Sequence, residues 1–383
     1  MNHTSPKQIG DYNKNQMLSI LRERGPRSRV ELSRLMGISQ TAVTRNTLKL
    51  LTNGIIRECG AEHSIMGRKP VLIDICGDFC YVLVADIVGG GLKAALADLL
   101  GNIVEYYEEP IQYNSTARSV MEQLLCVLKN IISESGIPKE KIWSVIIGTP
   151  GIFDPDSGKS HLAYFWEGWD QIDIRKEVFD SIDIDTLIEN DVNLDLIGES
   201  WKGVGREYEN ILYVKLGQGL ASRFVLDNKL IRGEHRMAGE IGLMLPGLSQ
   251  DININYENLL CNDAVSKQYR TSNGNGNVNT ISELCQLADD GDEKALHVLN
   301  NMLDHFALVL LNSAAVLDPD VIILGGDACS FKQREINHLK KKIEPHFPFP
   351  HNIIISGLEK KASLYGAIKM GLSRVEERIT EIW

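Results

Sequence analysis

The chain has 383 residues and a formal net charge of −11, long enough for two or three domains with substantial cores. It contains no run of about 18 apolar residues and no apolar signal region in MNHTSPKQIG, which argues for a cytoplasmic protein without a membrane segment. Its seven cysteines, at positions 59, 76, 80, 126, 261, 285 and 329, form no CxxC pair; they suggest packing residues in a reducing compartment rather than disulfides or zinc thiolates.

Charge divides the chain. Residues 1–75 carry 12 Lys and Arg against 6 Asp and Glu, leaving 28 against 45 for the other 308 residues. A basic head can release counterions from nucleic acid, whereas the acidic remainder would be repelled by it.

In the head, Asn15-Gln-Met-Leu-Ser-Ile-Leu-Arg predicts a first helix with Met17, Leu18 and Leu21 on one side, ended by Gly25-Pro26. Ser28 followed by Glu31 is a capping-box pattern opening a second helix, which buries Val30, Leu32 and Leu35 and stops at Gly37. Ser39 then caps a third helix whose apolar side is Val43, Leu48, Leu50 and Leu51. This leaves Gln40, Thr41, Thr44, Arg45 and Lys49 facing outward.

Two short helices around a glycine turn form a helix-turn-helix pattern, although an ordinary helical hairpin shares it. Ser39, Gln40, Thr41, Thr44, Arg45 and Lys49 are the candidate DNA contacts, because such side chains match major-groove donors and acceptors. The segments 54–59 and 71–75 predict two strands around a polar loop, a wing. Its Gly67-Arg68-Lys69-Pro70 resembles a minor-groove arm, which makes Arg68 and Lys69 further candidates; a solvated loop is the alternative.

From Tyr81 the pattern becomes three strands with turns, a helix over about 116–135 and a strand at 143–147. A second block repeats it: strands at 211–216, 221–227 and 230–232, a long helix near 293–317 and a strand at 321–324. Such a repeat implies two similar lobes around a ligand cleft.

These residues resemble the ROK family of repressors, open reading frames and sugar kinases. Asp86-Ile-Val-Gly-Gly90 is similar to the family's first phosphate loop, and Gly148-Thr-Pro-Gly-Ile-Phe-Asp154 to its GxPGxxD segment. Glu189-Asn-Asp-Val-Asn193 with Gly198-Glu199 carries the family's catalytic-base aspartate, here Asp191. Arg232 to Gly242 resembles the sugar-binding GxxGExGH segment, and Asp318 to Gly326 the nucleotide-side strand. The resemblance implies an α/β protein: an N-terminal winged helix-turn-helix over residues 1–76, then a two-lobed actin-like (ribonuclease H-like) sugar-kinase fold over 77–383. Its lobes would span about 77–190 with the C-terminal helix, and 191–370.

Departures from the family pattern bear on chemistry. Val88 stands where the first loop has glycine and Gly90 where it has threonine. The second loop reads Gly217-Gln218-Gly219 and continues Leu220-Ala221-Ser222-Arg223 where glycines are usual. A branched side chain obstructs backbone approach to phosphate, and glycine has no hydroxyl to donate. No enzymatic activity is therefore expected, and Asp191 becomes a sugar-binding carboxylate.

On the same resemblance Asn190, Glu240, Glu257, His235 and Gly151 are candidate effector contacts. Leu243 replaces the histidine closing the ExGH pattern, and the family's cysteine-rich zinc segment is absent, so neither a metal nor a cofactor is expected. The aromatic run Tyr164-Phe-Trp-Glu-Gly-Trp169 suits either a sugar face or a core.

The expected protein is a homodimeric or larger repressor of carbohydrate-related genes, binding palindromic double-stranded operator DNA under control of a sugar. The alternatives are an active carbohydrate kinase with a DNA-binding head, or a repressor governed by a protein partner.

Overall fold

The computed structural model describes residues 6–61, 70–88, 91–112, 115–162, 166–247, 254–272, 274 and 278–381. The head comprises α1 (Pro6–Arg24), β1 (Arg27–Ser28), α2 (Arg29–Met36), α3 (Gln40–Thr52), β2 (Ile56–Ala61) and β3 (Val71–Ile75). β3 pairs antiparallel with both other strands, which completes a winged helix-turn-helix.

Local chemistry explains these helices and where expectation missed them. α1 begins at Pro6 rather than Asn15, through a polar stretch in which Asn13 and Lys14 are buried and Lys14 Nζ donates to Asp11 at 2.8 Å. Ser28 and Glu31 cap α2 reciprocally, and Gly37 ends it at φ 66°, the left-handed conformation that favours glycine.

Of the three apolar residues expected inside α2, only Leu32 is buried, joined by Met36, while Val30 and Leu35 are exposed. In α3 the inward stripe is Val43, Asn46, Thr47 and Leu50, and Leu48 is 63% exposed. Thr47 occupies that stripe because its hydroxyl is satisfied, donating to the Thr44 carbonyl at 3.0 Å and accepting from Arg29 Nε.

The first lobe contains β4 (Tyr81–Val88), β5 (Gly91–Asp98), β6 (Ile103–Pro110), α4 (Ala117–Glu134), β7 (Ile142–Thr149), the hairpin β8 (Ile152–Asp154) and β9 (Lys159–His161), α5 (Ile174–Ile182), β10 (Thr186–Asn190) and α6 (Asp191–Trp201). The second contains β11 (Ile211–Leu216), β12 (Leu220–Leu226), β13 (Lys229–Ile231), α7 (Glu257–Leu260), α8 (Asn262–Thr271), α9 (Ile281–Asp289), α10 (Glu293–Leu317), β14 (Val321–Gly326), α11 (Gln333–Ile343) and β15 (Asn352–Ile355). α12 (Ala362–Glu381) then returns to the first lobe.

Both lobes hold a five-stranded sheet of one topology, in orders β6-β5-β4-β7-β10 and β13-β12-β11-β14-β15. Each begins with three antiparallel strands and adds two parallel ones. The sequence repeat is thus a structural repeat, the actin-like α/β arrangement.

Two helices tie the parts together. α6 lies at the seam: Leu194 packs into the first lobe's core, while Val192 and Leu196 pack with Ile211 and Tyr213 of the second. α6 crosses α12 so closely that a Cβ on Gly198 would lie 2.1 Å from the Ala362 carbonyl oxygen, and one on Gly366 1.9 Å from that of Leu194. Glycine is required at both positions by contact distance.

The head also shares its core. Met17, Leu18 and Leu21 of α1 belong to one apolar cluster with Val82, Leu99 and, from α12, Leu372, Val375 and Ile379. This continuity crosses the division expected at residue 76. No helix among the described residues is long and apolar enough to cross a membrane.

Candidate effector cleft and DNA-reading face

The candidate effector residues fall into two groups, one where β10 meets α6 and one on the second lobe. β10 runs into α6 at Asn190, whose side-chain oxygen accepts from the Val192 and Asn193 amides at 3.0 Å, capping the helix. Its amide nitrogen donates to the Gly151 carbonyl at 2.7 Å and reaches Asp191 Oδ1 at 3.3 Å. Asn190, Asp191 and Gly151 therefore form one hydrogen-bonded unit.

Asp191 faces the second lobe. Lys215 near the end of β11 lies 2.8 Å from Asp191 Oδ2 and 2.7 Å from Asp195 Oδ2, one helical turn further along α6. Asp86, from the first phosphate-loop segment, is buried nearby; one oxygen accepts from Ser363 Oγ, and Oδ1 has no hydrogen-bond partner among the described residues. Gly148 permits this packing, since a Cβ there would lie 2.7 Å from Asp86 Oδ1.

Burial governs this cluster's electrostatics. It pushes the Asp86 carboxyl up to about 7, against the attraction of Lys215 and reinforced by Asp191 and Asp195. It raises Asp195 for the same reason. Burial works against the Lys215 charge, but Asp191, Asp195 and Asp86 together hold the ammonium above its ordinary range.

A second group lies on the other lobe. Glu240 pairs with the buried Arg223 at 2.6 Å, and Arg223 also donates to the Ser222 carbonyl. Glu257 opens α7 beside the second phosphate loop, 3.5 Å from where a Cβ on Gly219 would lie. Burial, then the nearby Glu240, raises its carboxyl above the usual range. Arg232 links the lobes by pairing with Glu189 at 2.7 Å.

The structure thus joins Asn190, Asp191 and Gly151, and separately associates Glu240 with Glu257. His235 is exposed in the turn from Gly233 to Arg236 and is tied to neither group by a hydrogen bond or ion pair. Lys215, Arg223 and Arg232 escaped sequence reasoning, although Arg223 had marked a departure from the glycine pattern. Trp166 and Trp169 are core residues, packed edge to face at 5.2 Å with Trp169 fully buried; Tyr164 and Phe165 lie outside the described residues.

On the head, Gln40, Thr41, Thr44, Arg45 and Lys49 are all exposed along α3, with Leu48 among them. Ser39 is also exposed, its hydroxyl accepting from the Ala42 amide at 3.2 Å as the helix cap. Arg68 and Lys69 of the wing lie outside the described residues, as does Gly90 of the first phosphate loop.

The ROK family model matches residues 84–373. A xylose repressor of Caldicellulosiruptor bescii is 24% identical over 394 residues, covering 97% of each chain. Among solved structures, a ROK family transcriptional regulator described as a homolog of the E. coli MLC protein superposes with a TM-score of 0.81 at 20% identity, over 97% of this chain and 98% of that one. A ROK family glucokinase from Streptomyces griseus, solved with glucose and AMPPNP, gives 0.64 at 21% identity and covers 76% of this chain and 98% of its own. The glucokinase aligns with a shorter part of the chain, whereas the regulator spans nearly all of it, winged head included. The chain belongs to the ROK family.

Proposed function

We propose that this protein is a sequence-specific DNA-binding transcription repressor of carbohydrate-related genes, controlled by a sugar in a cleft that performs no phosphoryl transfer. The observation carrying this reading is the pairing, in one chain, of an exposed Gln40, Thr41, Thr44, Arg45 and Lys49 face on α3 with two matching lobes that meet at the Asp191–Lys215 and Glu189–Arg232 contacts. Likeness in both parts to a xylose repressor and a transcriptional regulator supports it.

Two copies would place their α3 helices in successive major grooves of a palindromic operator, with dimerisation through the body. Wing residues Arg68 and Lys69 would add minor-groove contacts. In the cleft, Asn190, Asp191, Glu240, Glu257 and the Gly151 backbone would contact sugar hydroxyls, with His235 at the rim; charged acceptors bind hydroxyls more strongly than neutral ones.

Coupling runs through α12. Ser363 near its start donates to Asp86 at the cleft, Gly366 contacts α6, and Glu376 near its end pairs with Arg22 of the head. A sugar that prefers one arrangement of the lobes would move α6 against α12 and shift the head spacing.

A thermal-shift series with neutral sugars, sugar phosphates and ATP tests this reading, because a ligand bound only by the folded state raises the melting temperature. Stabilisation by a neutral sugar and not by ATP is expected. Stabilisation by ATP with turnover of a sugar would instead establish a kinase, and silence across the whole series would favour control by a protein partner.

A further inference from the structure

We propose that the Lys215 ammonium is the built-in cation of this site, occupying the point on which the Asp191 and Asp195 carboxylates converge, so that ligand enters without a divalent ion. The proposal deepens the reading above by naming the residue that separates a sugar sensor from a kinase.

Asp191 and Asp195 are one turn apart on α6 and aim at one point, and Lys215 holds that point at 2.8 and 2.7 Å. A divalent ion bound by the same oxygens at about 2.0–2.6 Å would sit within van der Waals reach of the ammonium. Two cations at that separation repel strongly where burial limits screening. No group of three His, Cys, Asp or Glu among the described residues is arranged to hold a metal ion.

The surrounding chemistry agrees. The ammonium donates to Asp191, lies at ion-pair distance from Asp195 and is close enough to a third carboxyl, Asp86, to affect its ionisation, so the acids already have a counter-charge. On β12, just after the second loop, the buried Arg223 is committed to Glu240 where the family pattern has glycine. The arrangement does not fit a metal nucleotide.

The test is a titration of the full-length protein with Mn2+ alone, followed by the electron paramagnetic resonance of the free ion, in wild type, Asp191→Asn, Lys215→Gln and the double variant Lys215→Gln/Asp195→Asn. Wild type and Asp191→Asn are expected to bind Mn2+ equally weakly. Lys215→Gln is expected to gain one ion per chain with an affinity at least about tenfold higher, and the double variant to lose it.

Wild-type binding that disappears in Asp191→Asn would overturn the proposal, as would a folded Lys215→Gln with no gain. If Lys215→Gln fails to fold, the comparison of wild type with Asp191→Asn still decides between a cleft closed to the ion and one open to it. Operator affinity measured on the same preparations reports separately on the repressor reading, so that either account can fail alone.

Discussion

Arg22 of the head donates to Glu376 of the terminal helix across 2.6 Å, and its Nε donates to the Leu99 carbonyl at 3.0 Å, with the guanidinium almost entirely buried. This contact, set in the shared apolar cluster, fastens α1 to the body. Glu376→Gln leaves the Arg22 charge without its partner. Loss of a buried partner costs about 3–5 kcal/mol, and this pair's partial exposure places the expectation at the lower end. Urea unfolding is expected to show the loss, and operator binding to respond less to ligand. An unchanged midpoint would remove the contact from the account.

Asp86 makes stability depend on pH in a specific direction. Its folded-state carboxyl is pushed up to about 7 from an ordinary 3.8, mainly by burial. The folded state therefore holds the proton more tightly, and this contribution is fully present below about 3.8 and lost as pH rises through about 7. Asp86→Asn is expected to flatten the decline between those limits, an effect on the order of a few kcal/mol. Chemical denaturation of both proteins across that range measures it, and parallel profiles would contradict it.

The crossing of α6 and α12 admits no side chain at Gly366. Gly366→Ala forces the helices apart and is expected to cost about 3 kcal/mol or more, since overpacking typically costs 1–3 kcal/mol and this contact is with backbone. Thermal melting reads the effect. A melting temperature equal to that of the parent would mean the crossing yields easily, and with it the proposed transmission along α12.

On the DNA face, Arg45→Ala is expected to relax discrimination among operator sequences by about 1–3 kcal/mol. Lys49→Ala is expected to weaken all sequences alike and reduce the salt dependence. Competition binding at several salt concentrations separates the two. Equal behaviour of both variants and the parent on every duplex would mean α3 does not read the groove.

The elements most legible in the sequence were those whose signals are local. Ser28 and Glu31 bracket the start of α2, Gly37 ends it, and the long apolar periodicity of 293–317 matches α10 in full. The repeat of strand lengths anticipated the two matching sheets. What escaped was polar burial: Asn13 and Lys14 extend α1, and Asn46 and Thr47 lie on the inner side of α3 in place of Leu48, with Lys14 and Thr47 donating within their own helices and Thr47 also accepting from Arg29.

The site was legible through its acids and through Asn190 and Gly151, but not through its cations. Asp191, Glu240 and Glu189 stood within recognisable segments, but their partners Lys215, Arg223 and Arg232 come from β11, β12 and the segment after β13. The Asp191–Lys215 and Glu189–Arg232 pairs depend on the two lobes docking, and Arg223–Glu240 on the chain after β13 returning against β12, none of which any spacing along the chain encodes. The Arg22–Glu376 contact between opposite ends of the sequence was hidden for the same reason.

The most direct test of the account is to select duplexes from a randomised DNA pool with the full-length protein, then titrate the selected sequence by fluorescence anisotropy with and without neutral sugars. The account predicts enrichment of a palindromic sequence whose affinity changes by about tenfold or more with one sugar, within the usual range of allosteric coupling. Binding that favours no sequence, or a selected sequence whose affinity no sugar alters, would contradict it.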